Sequence, residues 1–161
     1  DAHEKVGTIV HYLTVSYWPN EKAELNEYPP NLVDKAENCL VKYFEWEKGH
    51  KVEPIICETP IVSETYRYGG TLDFFGYIDG TPTLLDLKTG KGIYDEYFYQ
   101  LAPYRQLLIE ARGLVPVRHI ILQIGRDETE GFSYKEVKDL SREWKIFEHC
   151  LAIYELKKGS K

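Results

Sequence analysis

The sequence predicts an α/β fold, a mixed β-sheet flanked by helices in the order α-α-β-β-β-β-α-β-β-α. Three observations predict it: helical apolar spacing near both ends of the chain, a run of β-branched and aromatic segments between residues 51 and 88, and a late strand reached only through a helical crossover.

Val6, Ile9, Val10, Leu13 and Tyr17 recur at helical spacing, so a first helix runs from Val6 to Trp18 and stops at Pro19-Asn20. Glu21 to Asn31 is polar, ends in Pro29-Pro30-Asn31 and reads as a connector. A second helix, Leu32 to Lys48, carries Val33, Ala36, Leu40, Tyr43, Phe44 and Glu47 on one side, and Gly49 ends it. Strand-like segments follow at Lys51 to Glu58, Pro60 to Tyr68, Gly70 to Ile78 and Thr83 to Lys88. Gly69-Gly70 is expected to break the chain between the second and third of these, and Asp79-Gly80 to turn it between the third and fourth. A helix at Glu96 to Arg112, strands at Val117 to Ile124 and Phe132 to Val137, and a helix at Leu140 to Leu156 complete the order.

A chain of 161 residues with 43% hydrophobic content can bury one substantial core, so residues 1–161 read as a single domain. No apolar stretch approaches the roughly 18 residues that cross a bilayer, and no signal peptide opens the chain, so a soluble cytoplasmic protein is expected. The three cysteines, Cys39, Cys57 and Cys150, are too scattered for a disulfide framework or for a four-cysteine iron-sulfur cluster. A formal charge of -6 argues against broad adhesion to duplex nucleic acid, which needs clustered Lys and Arg to displace counterions. Any nucleic-acid contact must then be local. With no methionine in the chain, its first residue is not an initiator, and a trimmed product or a piece of a longer one is expected.

The chemistry concentrates at the Asp79-Gly80 hairpin. A two-residue type I′ loop pairs Ile78 with Thr81, Tyr77 with Pro82, and Asp73 with Asp86. Tyr77 with Pro82 then falls at a non-hydrogen-bonded position, where the missing proline N–H costs the ladder nothing. Asp73 and Asp86 fall at another, with Cα atoms roughly 4.5 Å apart, and two like charges there need compensation. Lys88, two residues past Asp86, leaves the same face of the strand and neutralises the pair in part. A divalent cation compensates better, because carboxylate oxygens on adjacent strands suit Mg²⁺ or Mn²⁺, the ions of phosphodiester hydrolysis. An Asp-Leu-Lys triplet by itself belongs far more often to an ordinary solvent-facing hairpin; the opposed aspartates bring the reading of a site level with it.

Gly70-Thr71-Leu72-Asp73, Asp86-Leu87-Lys88-Thr89-Gly90 and Gln100-Leu101-Ala102-Pro103-Tyr104, with Gly7-Thr8-Ile9-Val10-His11 upstream, resemble the GxxD, DxK, QxxxY and GxxxH motifs of RecB-type exonucleases, a branch of the PD-(D/E)xK nuclease superfamily. The resemblance covers roughly the first 110 residues. It implies a restriction-endonuclease-like core in which His11, Asp73, Asp86 and the Leu87 backbone carbonyl bind Mg²⁺ or Mn²⁺ and Lys88 is the catalytic lysine. Gln100 and Tyr104 would position nucleic acid or support the centre. An upstream acidic residue often joins such a metal shell; spacing does not choose between Glu58 and Glu64, and Glu58 is the preferred of the two. Pro103 departs from a regular helix and leaves the aim of Tyr104 open.

The function so implied is metal-dependent hydrolysis of DNA, exonucleolytic, in bacterial or phage DNA recombination and repair. Ends or single strands suit an acidic chain better than long duplex. A homo-oligomeric ring, or a fused or partner helicase or recombination protein, would supply the missing grip. A non-catalytic nucleic-acid-binding or assembly module on the same fold is the competing reading, and the presence of both Asp86 and Lys88 speaks against it.

Overall fold

The computed structural model describes residues 1–159. Helices α1 (Ala2–Tyr17) and α2 (Pro30–Lys48) precede strands β1 (Val52–Ser63), β2 (Tyr68–Ile78) and β3 (Thr81–Thr89); α3 (Asp95–Arg112) leads to β4 (Arg118–Ile124), β5 (Phe132–Val137) and α4 (Ser141–Gly159). The strands form one sheet in the order β1-β2-β3-β4-β5, with β3 and β4 parallel and the other neighbours antiparallel. The parallel pair requires a crossover, and α3 supplies it.

Helix α1 begins before the first apolar residue of its stripe because Asp1 and Glu4 form a capping box: the Glu4 N–H donates to Asp1 Oδ1 at 2.8 Å. Helix α3 runs through Pro103 and stops at Gly113, whose φ of 64° is the left-handed cap. The turn between β2 and β3 has φ 52° at Asp79 and 79° at Gly80. The ladder pairs Ile78 with Thr81 and Tyr77 with Pro82, as the two-residue loop requires.

One expectation needs correction. Lys51 to Glu58 and Pro60 to Tyr68 are not two strands but the single β1, which pairs with β2 on both sides of Glu58. Glu58 takes φ 44° and kinks the chain without ending the ladder, and β1 lies at the sheet edge, where Pro54 and Pro60 are tolerated. The turn into β2 is at residues 64–67 instead of at Gly69-Gly70; there the Glu110 carboxylate accepts Ser63 Oγ at 2.8 Å and the Glu64 N–H at 2.9 Å.

Each sheet face carries its own core. Val6, Ile9, Val10, Leu40 and Tyr43 from α1 and α2 pack with Phe74, Leu85, Leu87, Ile120 and Leu122. On the other face Phe98, Leu101, Leu107 and Leu108 of α3 pack with Leu72, Phe75, Leu84 and Ile121. The sheet is thus buried from both sides, as a parallel pair demands. Among the described residues no helix is long and apolar enough to cross a membrane.

Candidate active site

Leu72 and Phe74 are two residues apart, and a regular strand would turn both to one face. They belong to opposite cores, so the alternation of β2 breaks at Asp73. On β1 the same break falls between Cys57 and Ile61, across the positive-φ Glu58. Two neighbouring strands are therefore irregular where their acidic side chains lie. The expected direct opposition of Asp73 and Asp86 is modified accordingly. Paired residues of β2 and β3 end at Phe74 and Leu85, and the Asp73 carboxylate takes over the next bond: its Oδ2 accepts the Leu87 N–H at 2.9 Å. Its Oδ1 lies 3.0 Å from His11 Nε2 of α1.

Asp86 and Lys88 share the α3 side of β3. Lys88 Nζ sits 3.0 Å from Asp86 Oδ2 and donates to Gln100 Oε1 at 2.7 Å. The ion pair lies outside hydrogen-bonding geometry, so the buried Asp86 Oδ2 has no hydrogen-bond donor among the described residues. Burial, and then the neighbouring charge of Asp73, push the Asp86 carboxyl up to about 7, against the opposing pull of Lys88. Burial pushes Asp73 upward too, but the bond to His11, its charge and the Leu87 N–H outweigh burial and hold this carboxyl below its usual range. The bond to Asp73 raises His11, and burial opposes it. One buried carboxylate is thus held ionised by hydrogen bonds, and its neighbour is held mainly by an ion pair that does not offset its burial.

The donor set fits a hard divalent cation. Ligand atoms of His11, Glu58 and Asp73 all lie within 4.8 Å of one another, and the buried Asp86 carboxyl is near enough to Asp73 for its charge to raise the Asp86 pKa. Imidazole and carboxylate oxygens are the ligand types for Mn²⁺, and the carboxylates for Mg²⁺. Of the two upstream glutamates the structure brings Glu58 to the cluster. Glu64 sits in the turn against Glu110.

The motif glycines make room for other motifs. A Cβ on Gly70 would lie 2.6 Å from Tyr104 Cε1, so the QxxxY tyrosine packs directly over the GxxD glycine. Tyr104 is partly buried in the α3-side core, and its hydroxyl is pushed up to about 12 by burial and then by the charges of Asp86, Asp73 and Glu58. Gly70→Ala should therefore destabilise the chain by about 1–3 kcal/mol through overpacking, and Tyr104→Ala in the same background should recover much of that loss in denaturant melts. A Cβ on Gly7 would lie 2.8 Å from Thr89 Oγ1 and 3.1 Å from Arg126 Cδ. Thr89 and Arg126 thereby line, with Glu4, Gly7, Thr8 and His11, an open cavity of about 390 Å³ beside the cluster. Sequence reasoning missed both residues. Thr89 directly follows the DxK lysine and had a signal; Arg126 had none.

Among solved structures the chain is similar to a protein of Eubacterium rectale described as a "putative exonuclease", with a TM-score of 0.58 and 12% identity over 94% of this chain. The chain has that protein's fold. It spans only 65% of that protein's length. A second structure, SSO0001, aligns over 92% of this chain and 74% of its own at 14% identity, but its TM-score of 0.43 is too low to argue from. No family model and no curated protein matches the sequence. The shared fold is a five-stranded mixed sheet between two helix layers, and the acidic cluster draws on α1 and on strands β1, β2 and β3 of that sheet.

Proposed function

We propose that the chain is a metal-dependent nuclease of RecB type, one catalytic domain that hydrolyses DNA phosphodiester bonds from an end. The observation that carries this reading is the buried Asp86 carboxyl, set between Asp73 and a lysine that Gln100 holds in place. Burial of two adjacent carboxyls with one lysine is unfavourable for an ordinary hairpin and useful in a cation site.

In this reading His11, Asp73, Asp86, Glu58 and the Leu87 carbonyl would hold Mg²⁺ or Mn²⁺. When bound, the cation supplies Lewis acidity toward a phosphoryl oxygen and makes water acidic enough to react near neutral pH. Lys88 directs its ammonium to the water and to the charge that develops on the phosphate. Gln100 fixes that ammonium by accepting a hydrogen bond from it. Asp73 spends one oxygen on His11 and the other on the Leu87 N–H, so its carboxylate is oriented before any substrate arrives. Tyr104 supports the centre by packing over Gly70. The acidic chain itself would hold an end or a single strand, while copies of the chain, or a fused or partner helicase or recombination protein, grip long DNA in a bacterial or phage-infected cytoplasm.

The test is degradation of end-labelled linear DNA and of covalently closed circles with Mg²⁺, with Mn²⁺, and with chelator. Release of label that requires metal and spares circles supports an exonuclease; cutting of circles replaces it with an endonuclease. Metal binding with no cleavage of DNA would overturn the catalytic reading in favour of a nucleic-acid-binding module.

A further inference from the structure

Past β3 the chain runs through Gly90 and Gly92 to Tyr94, the residue that precedes α3. Tyr94 is 49% exposed, so much of its ring is open to solvent. It is not loose: Tyr94 and Tyr97 pack edge to face, with ring centroids 5.5 Å apart at 72°. Tyr97 in turn is seated against the α3-side core, and the Lys88 ammonium stands 5.0 Å from its ring centroid. The aromatic pair is thus anchored through Tyr97, which touches both the core and the lysine, and Tyr94 forms its outer end. Asp95 and Glu96 occupy the first turn of α3 directly after Tyr94. Their charge repels a phosphate backbone laid along this helix start, so the ligand surface on offer there is the uncharged ring.

We propose that Tyr94, braced by Tyr97, is a stacking subsite for an unpaired nucleobase of a single-stranded DNA end whose phosphate lies at Lys88. The inference rests on the nuclease reading for the role of Lys88 and goes further in naming the substrate as a single strand. A duplex keeps its base faces stacked on one another and leaves open only the outer faces of its terminal pairs, whereas every unpaired base offers a face to a protein ring. The acidic residues at the start of α3 fit the same choice, since they disfavour the two closely spaced backbones of a duplex more than one flexible strand that can bend its phosphates away. Tyr94 is therefore a specificity-determining residue, acting on the base while Lys88 acts on the phosphate.

The experiment measures anisotropy of a fluorescein-labelled ten-nucleotide single strand and of its duplex, with chelator present to prevent cleavage, for wild type, Tyr94→Ala and Tyr94→Phe. Wild type should prefer the single strand. Tyr94→Ala should weaken single-strand binding roughly 5- to 100-fold and leave the duplex unchanged, and Tyr94→Phe should bind like wild type. Moving one abasic position along the strand should reproduce the loss at a single register in wild type and at none in Tyr94→Ala. Equal binding by wild type and Tyr94→Ala, an equal loss for duplex, or no oligonucleotide binding by wild type would each overturn the subsite. A parallel cleavage assay with Mn²⁺ separates the two proposals: loss of single-strand preference with cleavage intact removes only the subsite, and stacking without any cleavage removes only the nuclease.

Discussion

Lys88→Ala is expected to reduce metal-dependent DNA cleavage by about 10²- to 10⁴-fold while the chain stays folded. The lysine is 22% exposed and is held from three sides, by Asp86 Oδ2 at 3.0 Å, Gln100 Oε1 at 2.7 Å and the Tyr97 ring at 5.0 Å. Of these partners only Tyr97 borders a hydrophobic core, so the truncation removes a positioned charge and little packing. Lys88→Arg should not rescue, because a planar guanidinium cannot occupy the point where three partners converge on one nitrogen. Gln100→Ala leaves the ammonium present but free on one side, and a smaller loss of about 10-fold is expected from misplacement alone. Initial rates on end-labelled linear DNA, read beside thermal melts of each variant, check the set. Cleavage by Lys88→Ala at the wild-type rate would remove the lysine from the reaction.

The register of the β2–β3 hairpin was legible because a turn with two positive-φ residues leaves few alternatives, and the proline at position 82 then allows only one. The same arithmetic put Asp86 and Lys88 on one face, where they are found 3.0 Å apart. It could not foresee the break at Asp73. Periodicity assumes that every residue of a strand turns the chain equally, and here the sheet gives up one pairing so that a carboxylate can accept the Leu87 N–H. The missed continuity of β1 has a related cause. Pro60 carries a turn signal, and only the ladder on either side shows that the edge strand passes through it.

Glu58 and Arg126 mark the limit of spacing arguments. Nothing in the sequence separates Glu58 from Glu64 as the third acidic partner; the kink that turns Glu58 toward His11 and Asp73 is a property of the sheet edge. Arg126 reaches the cavity beside His11 because β4 lies parallel to β3, which brings the segment after Ile124 next to Thr89. Long-range pairing of this kind leaves no local pattern. The motif glycines are intermediate: their identities were visible, whereas their reason, the close approach of Tyr104 to Gly70 and of Thr89 to Gly7, is tertiary.

Asp86→Asn should raise the stability of the metal-free chain and abolish its stabilisation by metal, two effects of opposite sign from one substitution. In the folded chain Asp86 titrates near 7, well above the ordinary carboxyl value of about 4. Between those pH values the folded chain keeps a proton that the unfolded chain has lost, so this carboxyl's contribution to stability is full at low pH and declines as pH rises toward 7. The raised pKa of His11 acts in the same direction, giving stability below its ordinary value near 6.5 that is lost as the imidazole deprotonates. Without metal the melting temperature should therefore fall from pH 5 to pH 8. Asparagine carries no charge to bury and can donate an N–H to the Asp73 carboxylate, so at pH 8 the variant should be more stable by about 2–4 kcal/mol, roughly 5–10 °C in melting temperature. Mg²⁺ or Mn²⁺ should stabilise wild type at pH 8 in proportion to the logarithm of its concentration, and hardly at all at pH 5, where the proton competes. The variant should show no such rise at either pH. Melts with chelator and with a metal titration, at both pH values, read all four terms, and a less stable Asp86→Asn at pH 8 in chelator would mean that this carboxylate is a structural asset and not a group held in readiness for a cation.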